Sequence, residues 1–141
     1  MELIIVIAII SIVSSITVVT SSVLKRYDLD ASAYQLATDL KFVQQLSINT
    51  SVEENEFSPA EMDQFPKLSL KVTANCGYII SRGLKNIKSV TFSKNIKIVG
   101  GYSAIYFNRH GYINQPITIR LENGEKTRLI IIDRVGRIRT Q

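Results

Sequence analysis

Three hydrophobic textures follow one another along this chain of 141 residues. The first is uncharged and apolar on every side: residues 3–24 of MELIIVIAIISIVSSITVVTSSVLKR hold no Asp, Glu, Lys or Arg. As a helix, twenty-two such residues rise about 33 Å, enough to cross a hydrocarbon core. Lipid obliges the backbone to satisfy its own hydrogen bonds, so the many β-branched residues do not argue against a helix there. The second texture begins after Lys25-Arg26. Leu29, Ala33, Leu36, Leu40 and Val43 recur at helical spacing, with Asp30, Thr38, Asp39 and Lys41 largely on other faces. No Gly or Pro interrupts the chain before Val52, which predicts one helix running to about Asn49. Its second half carries a single apolar stripe that needs a cover.

The third texture has period two. Residues 51–66, SVEENEFSPAEMDQFP, are acidic, hold two prolines and lack periodicity, so they read as a linker loop. Beyond them KLSLKVTA alternates Leu68, Leu70 and Val72 with polar positions. CGYIISRG, KSVTFS, IKIVGG, SAIYFNRHG and PITIRLENGEKTRLIIIDRVGRIRT continue the β texture. Asn123-Gly124 between two strand patterns predicts a tight hairpin, and His110-Gly111 and Val135-Gly136 mark further turns. The expected fold is α+β: a long N-terminal helix whose amphipathic half packs on a small antiparallel β domain. The expected organisation is a transmembrane half of the helix over 1–24, an amphipathic half over 25–50, a linker over 51–66 and a β domain over 67–141.

Charge sharpens this picture. Residues 1–66 carry 3 basic and 9 acidic side chains, whereas residues 67–141 carry 14 and 3, and no acid lies between Lys67 and Leu121. The C-terminal half is thereby directed at an anionic partner. Arg134, Arg137 and Arg139 crowd the tail around Gly136. If residues 137–139 are extended, Arg137 and Arg139 project to one side about 7 Å apart, a spacing that suits neighbouring phosphates. Arg128 and Lys126, beside the hairpin, join them as candidate contacts to double-stranded DNA. The competing reading is a solvated sheet edge that arginine protects from aggregation. Lys85, Lys88, Lys94 and Lys97 read first as the polar face of alternating strands and second as an extension of that track. Tyr78, Tyr102, Tyr106, Phe107 and Tyr112 read as core or turn packing.

Other chemistry is sparse. Cys76 is the lone cysteine, so no intrachain disulfide is expected, and it reads as a small buried side chain. His110, the lone histidine, lacks a nucleophile or carboxylate pattern and reads as a turn residue. VGGY and RVGR lack the strand-to-helix context and Gly spacing of a phosphate loop. No paired carboxylates or metal-ligand spacing occur, so no catalysis, metal or cofactor is expected. Glu2 sits at the head of the apolar run. A carboxylate there has either a partner or a solvated place at the helix N-terminus, where the helix dipole favours it. A cleaved signal peptide would require a basic start and a small-residue cleavage site, and this start has Glu2 instead.

MELIIVIAIISIVSS resembles the N-terminal segment of type IV pilins and pseudopilins, whose mature chains begin with a short motif ending in Glu-Leu and continue as a long apolar helix. LATDLKFVQQLSINTSV, AIYFNRHGYINQPITIRL and RLIIIDRVGRIRTQ are similar to the helix end, the strand-turn-strand and the closing strand with Gly-Arg tail of the GspH/FimT group of minor pilins. The resemblance implies a non-enzymatic subunit of a type IV pilus, type II secretion pseudopilus or competence pseudopilus. It implies an upstream leader that a prepilin peptidase removes, three mature residues before Met1 that begin with the methylated N-terminus, and an inner-membrane assembly platform as a further partner. It gives Glu2 the role of pairing with the N-terminal amine of a neighbouring subunit. It places the chain in the cell membrane as a single-pass protein with its C-terminal domain outside, against the positive-inside reading of Lys25-Arg26. The Gly-Arg-x-Arg tail resembles that of FimT-like pilins linked to DNA capture. A purely structural subunit and a stand-alone membrane-anchored binding domain are the alternatives.

Overall fold

The computed structural model describes residues 2–50, 65–73, 75–100 and 104–141, and within these the side chains of Glu2 and residues 16–22 lie outside the description. A single helix, α1 (Glu2–Ile48), forms the spine. Nothing in its sequence breaks it, and Ser11, Ser15 and Thr38 direct their hydroxyls to the carbonyls four residues back, so these polar side chains are satisfied within the helix. Its two halves differ in their surroundings. Leu29, Leu36, Leu40 and Val43 are wholly buried, as the stripe predicts. Between Leu3 and Val13, by contrast, the large aliphatic side chains are all exposed, Leu3 at 72% and Val6 at 52%.

The expected membrane-length segment over 1–24 is not shown. Among the described residues no helix is long and apolar enough to cross a membrane. The linker expected over 51–66 falls, except for Phe65 and Pro66, outside the described residues.

The antiparallel layer that covers α1 is divided between two four-stranded sheets. One contains β1 (Pro66–Lys71), β2 (Gly77–Arg82), β3 (Lys85–Thr91) and β5 (Ala104–Tyr106), in the order β3-β2-β1-β5. The other contains β4 (Lys97–Val99), β6 (Ile117–Glu122), β7 (Thr127–Ile132) and β8 (Ile138–Thr140), in the order β4-β6-β7-β8. Alternation decides which side chains face the helix. Leu68 and Leu70 of β1, Ile117, Ile119 and Leu121 of β6, and Ile130 and Ile132 of β7 point inward and are buried. Together with the α1 stripe, Tyr78, Ile80, Ile105 and Phe107, they form one contiguous core. The β6–β7 pairing runs in register from Ile117 opposite Ile132 to Glu122 opposite Thr127, closed by the Asn-Gly turn. A bulge between Ile80 and Ser81 leaves Ile87 of β3 unpaired, and Lys88 lies opposite Ile80, on the helix-facing side.

Candidate functional site

The C-terminal tail is fixed by the end of α1. The Gln44 side chain donates two hydrogen bonds from Nε2, to the carbonyls of Gly111 (2.8 Å) and Gly136 (3.0 Å). One helix residue thus holds two turns that are separate in sequence. The first turn is organised by Asn108, whose Oδ1 accepts from the amides of His110 and Tyr112. It is joined to the second by the Ile113 amide, which donates to the Arg134 carbonyl. Gly136 permits the second turn: its φ is +76°, and a Cβ there would lie 1.9 Å from the Gly111 oxygen. From this anchored turn β8 leaves along β7, and Leu129 and Gln141 exchange both backbone hydrogen bonds, so pairing extends to the last residue.

This arrangement sets the tail arginines. Arg137 and Arg139 project to the same side, as extended spacing predicts, and both meet Asp133. Arg137 donates to one carboxylate oxygen (Nη2 at 3.0 Å) and Arg139 to the other (Nη2 at 3.2 Å). Their side chains nevertheless remain 73% and 58% exposed. Beside them Lys41 and Gln45, one helical turn apart on α1, complete a groove of about 450 Å³ whose walls are Lys41, Gln44 and Gln45 on the helix and Gly136, Arg137, Ile138 and Arg139 on the tail. Three cations and one carboxylate therefore meet at this end of the domain. Arg134 is exposed on the turn that precedes the groove.

Arg128 and Lys126 are elsewhere. The β6–β7 hairpin reaches the opposite end of the covered helix, where Asn123 Nδ2 donates to the Lys25 carbonyl and Arg26 faces Glu125 at 3.7 Å. Arg128 Nε donates to Asp30 Oδ1 at 2.5 Å and ties the hairpin to α1. The hydrogen bond from Arg128 and its charge hold the Asp30 carboxyl below its ordinary value against a smaller opposing effect of burial, and the same contact raises the guanidinium. Lys126 is exposed in the turn, its amide bonded to Asn123 Oδ1. Asp30 and Gln44, the helix contacts of the two groups, are about 21 Å apart along α1. The structure brings Arg137 and Arg139 together at Asp133, leaves Arg134 exposed on the adjoining turn, and sets Arg128 and Lys126 apart from them.

Two charged residues meet partners that the sequence pattern does not name. Asp39, expected largely off the apolar stripe, is buried and accepts hydrogen bonds from Tyr78 Oη (2.5 Å) and Lys88 Nζ (2.7 Å). It lies three residues after Leu36 and four before Val43, a spacing that places it on the stripe's margin. Lys88 shares its strand face with Val90 and Phe92, so the period-two pattern already pointed it inward. Burial, and then the hydrogen bond to Asp39, push the Tyr78 phenol far up from its ordinary value. This carboxylate, cation and phenol fasten the first sheet to the helix. Lys85, Lys94 and Lys97 are exposed, and Cys76 is buried with its thiol 3.1 Å from the Thr73 carbonyl. Glu2 lies in the first turn of α1, and its side chain is outside the described residues.

No family model matches the chain, and no curated protein is similar to it in sequence. In three dimensions it is similar to the crystal structure of the type IV minor pilin FimU of Pseudomonas aeruginosa strain PAO1, with a TM-score of 0.57 over 80% of this chain and 92% of that one, at 13% identity. At that identity the likeness concerns the fold alone: a long N-terminal helix packed on antiparallel sheets, which is the pilin-like fold.

Proposed function

We propose that this chain is a non-enzymatic subunit of a pilus-like filament, a minor pilin or pseudopilin of the GspH/FimT kind. The observation that carries the reading is the uncovered apolar half of α1. Between Leu3 and Val13 a continuous aliphatic surface stands outside the folded domain, while the same helix is covered by sheet from Leu29 onward. An exposed apolar surface of this extent marks an interaction site. Parallel helices of neighbouring subunits fit it, because they bury it along its length without any change in the globular domain. Before assembly, lipid of the cell membrane would shelter the same surface with the globular domain outside, an arrangement that rests on the resemblance of the N-terminal sequence to pilins, as do the leader, the peptidase and the assembly platform. In this reading Glu2 registers one subunit against the next through a neighbour's N-terminal amine, since opposite charges attract strongly where water is excluded.

Incorporation of tagged variants into filaments tests this. Ile9→Asp places a charge in the middle of the apolar surface, and Glu2→Ala removes the registering carboxylate. Both should reach wild-type levels in the cell with an intact globular domain and enter filaments poorly. Normal incorporation of Ile9→Asp beside wild-type partners would refute helix-mediated assembly, and normal incorporation of Glu2→Ala alone would reduce that residue to an interfacial group.

A second activity is compatible with this one. Lys41, Arg137 and Arg139 line one groove at the end of α1 remote from the apolar surface, which favours contact with double-stranded DNA through the basic tail.

A further inference from the structure

We infer that the tail arginines are one wall of a two-walled phosphate site, that Lys41 and Gln45 of α1 form the other, and that Asp133 is a built-in counter-ion which a DNA phosphate displaces. The inference rests on the DNA-contact reading of the tail and specifies how that contact is made. Arg137 and Arg139 are not poised as two unopposed charges, because each donates to one oxygen of Asp133. The carboxylate stands where a bidentate anion bridging the two guanidiniums would stand. A phosphodiester offers the same pair of anionic oxygens, so it can take over the two guanidiniums as the Asp133 carboxylate turns aside. Asp133 keeps only 20% of its side chain exposed, and its amide and carbonyl close the turn with Arg137 and Gly136, so its backbone is held in place while its carboxylate is released.

The helix wall supplies what the arginines lack. Lys41 adds a third cation across the groove, and Gln45, exposed one turn further on, adds amide donors. Gln44 belongs to the frame instead, since its Nε2 is already committed to Gly111 and Gly136. The geometry also selects the source of the phosphate. Lys41 is about 26 Å along the helix from Leu24, where the uncharged run ends, beyond the reach of headgroups at a membrane that would hold the apolar run. The groove opens to solvent at the outer end of the domain, beside exposed Arg134, where a duplex backbone can lie across it.

Binding of a labelled random-sequence duplex to the full chain in detergent micelles, read by fluorescence anisotropy over a salt series, tests both levels. The arginine pair tests the reading on which the inference rests: Arg137→Gln with Arg139→Gln should weaken binding and shallow the salt slope by roughly two, and no change would remove DNA contact from the tail altogether. Lys41→Gln should shallow the slope by roughly one, and an unchanged slope in the presence of the arginine effect would reduce the site to the tail wall. Asp133→Asn should tighten binding by roughly three- to tenfold, the expected gain from releasing two surface arginines. Unchanged or weaker binding by Asp133→Asn, with the circular dichroism spectrum of the wild type, would overturn the counter-ion. Poly-glutamate of matched charge should compete poorly; equal competition would show a groove that reads charge alone and would overturn the assignment to phosphate.

Discussion

Gly136→Ala probes the anchorage of the tail most directly. The native φ of +76° lies in the left-handed region, where a Cβ costs about 1–2 kcal/mol. The added methyl would also meet the Gly111 carbonyl oxygen at 1.9 Å and Gln44 Nε2 at 2.4 Å. A backbone oxygen held by a helix side chain cannot yield as a flexible side chain would, so the turns must separate. Separation breaks the two hydrogen bonds of Gln44, each worth about 1 kcal/mol net. The expected loss is therefore about 3–4 kcal/mol. Gly124→Ala is the matched control: its φ is +84°, yet nothing lies within 4 Å of the added carbon, so only the backbone cost of about 1–2 kcal/mol remains. Urea unfolding of the full chain in mild detergent, followed by circular dichroism, measures both. Adding Gln44→Ala to each background should cost clearly less beside Gly136→Ala than beside Gly124→Ala, because the first variant has already broken the contacts of Gln44. Equal losses for the two glycine variants, or additivity of Gln44→Ala with Gly136→Ala, would refute the idea that one glutamine clamps both turns.

Two further outcomes follow from the ion pairs. The Asp30 carboxyl is held below its ordinary value of 3.8, so its contribution to stability is fully present above that value and is lost as pH falls through the lower folded one; Arg128→Gln should flatten this acid arm of the stability profile by a modest amount, because both side chains are 36% exposed, and an unchanged profile would show that the pair does not couple hairpin to helix. The Tyr78 phenol is raised, so its contribution is present below the unfolded value near 10 and falls as pH rises beyond it; tyrosinate absorbance should show one tyrosine ionising only with unfolding, and loss of that late step in Tyr78→Phe, with a cost of about 1–3 kcal/mol from the under-bonded Asp39, identifies it.

Much of the fold was determined locally and was therefore legible. The 3.6-residue recurrence of Leu29, Ala33, Leu36, Leu40 and Val43 fixes which face of α1 is buried, and period-two alternation with Asn123-Gly124 fixes the β6–β7 hairpin, because both patterns follow from backbone geometry over a few residues. The projection of Arg137 and Arg139 to one side is of the same kind. What no local pattern specifies is how the strands divide between two sheets and what each charge meets across the core. Pairing of β1 with β5 and of β4 with β6 joins segments far apart in the chain, and many registers satisfy the same alternation. The candidate site depends on just such contacts. Gln44 binds carbonyls 67 and 92 residues away, Arg128 is drawn to Asp30 and so leaves the tail cluster, and Lys41 comes to face arginines from the other end of the sequence. A charge run in sequence is an inventory of positive groups; the fold decides which are spent on carboxylates and which remain open to an anion, because Coulomb attraction acts at contact distance and Asp30 and Asp39 meet their cations only across the tertiary structure.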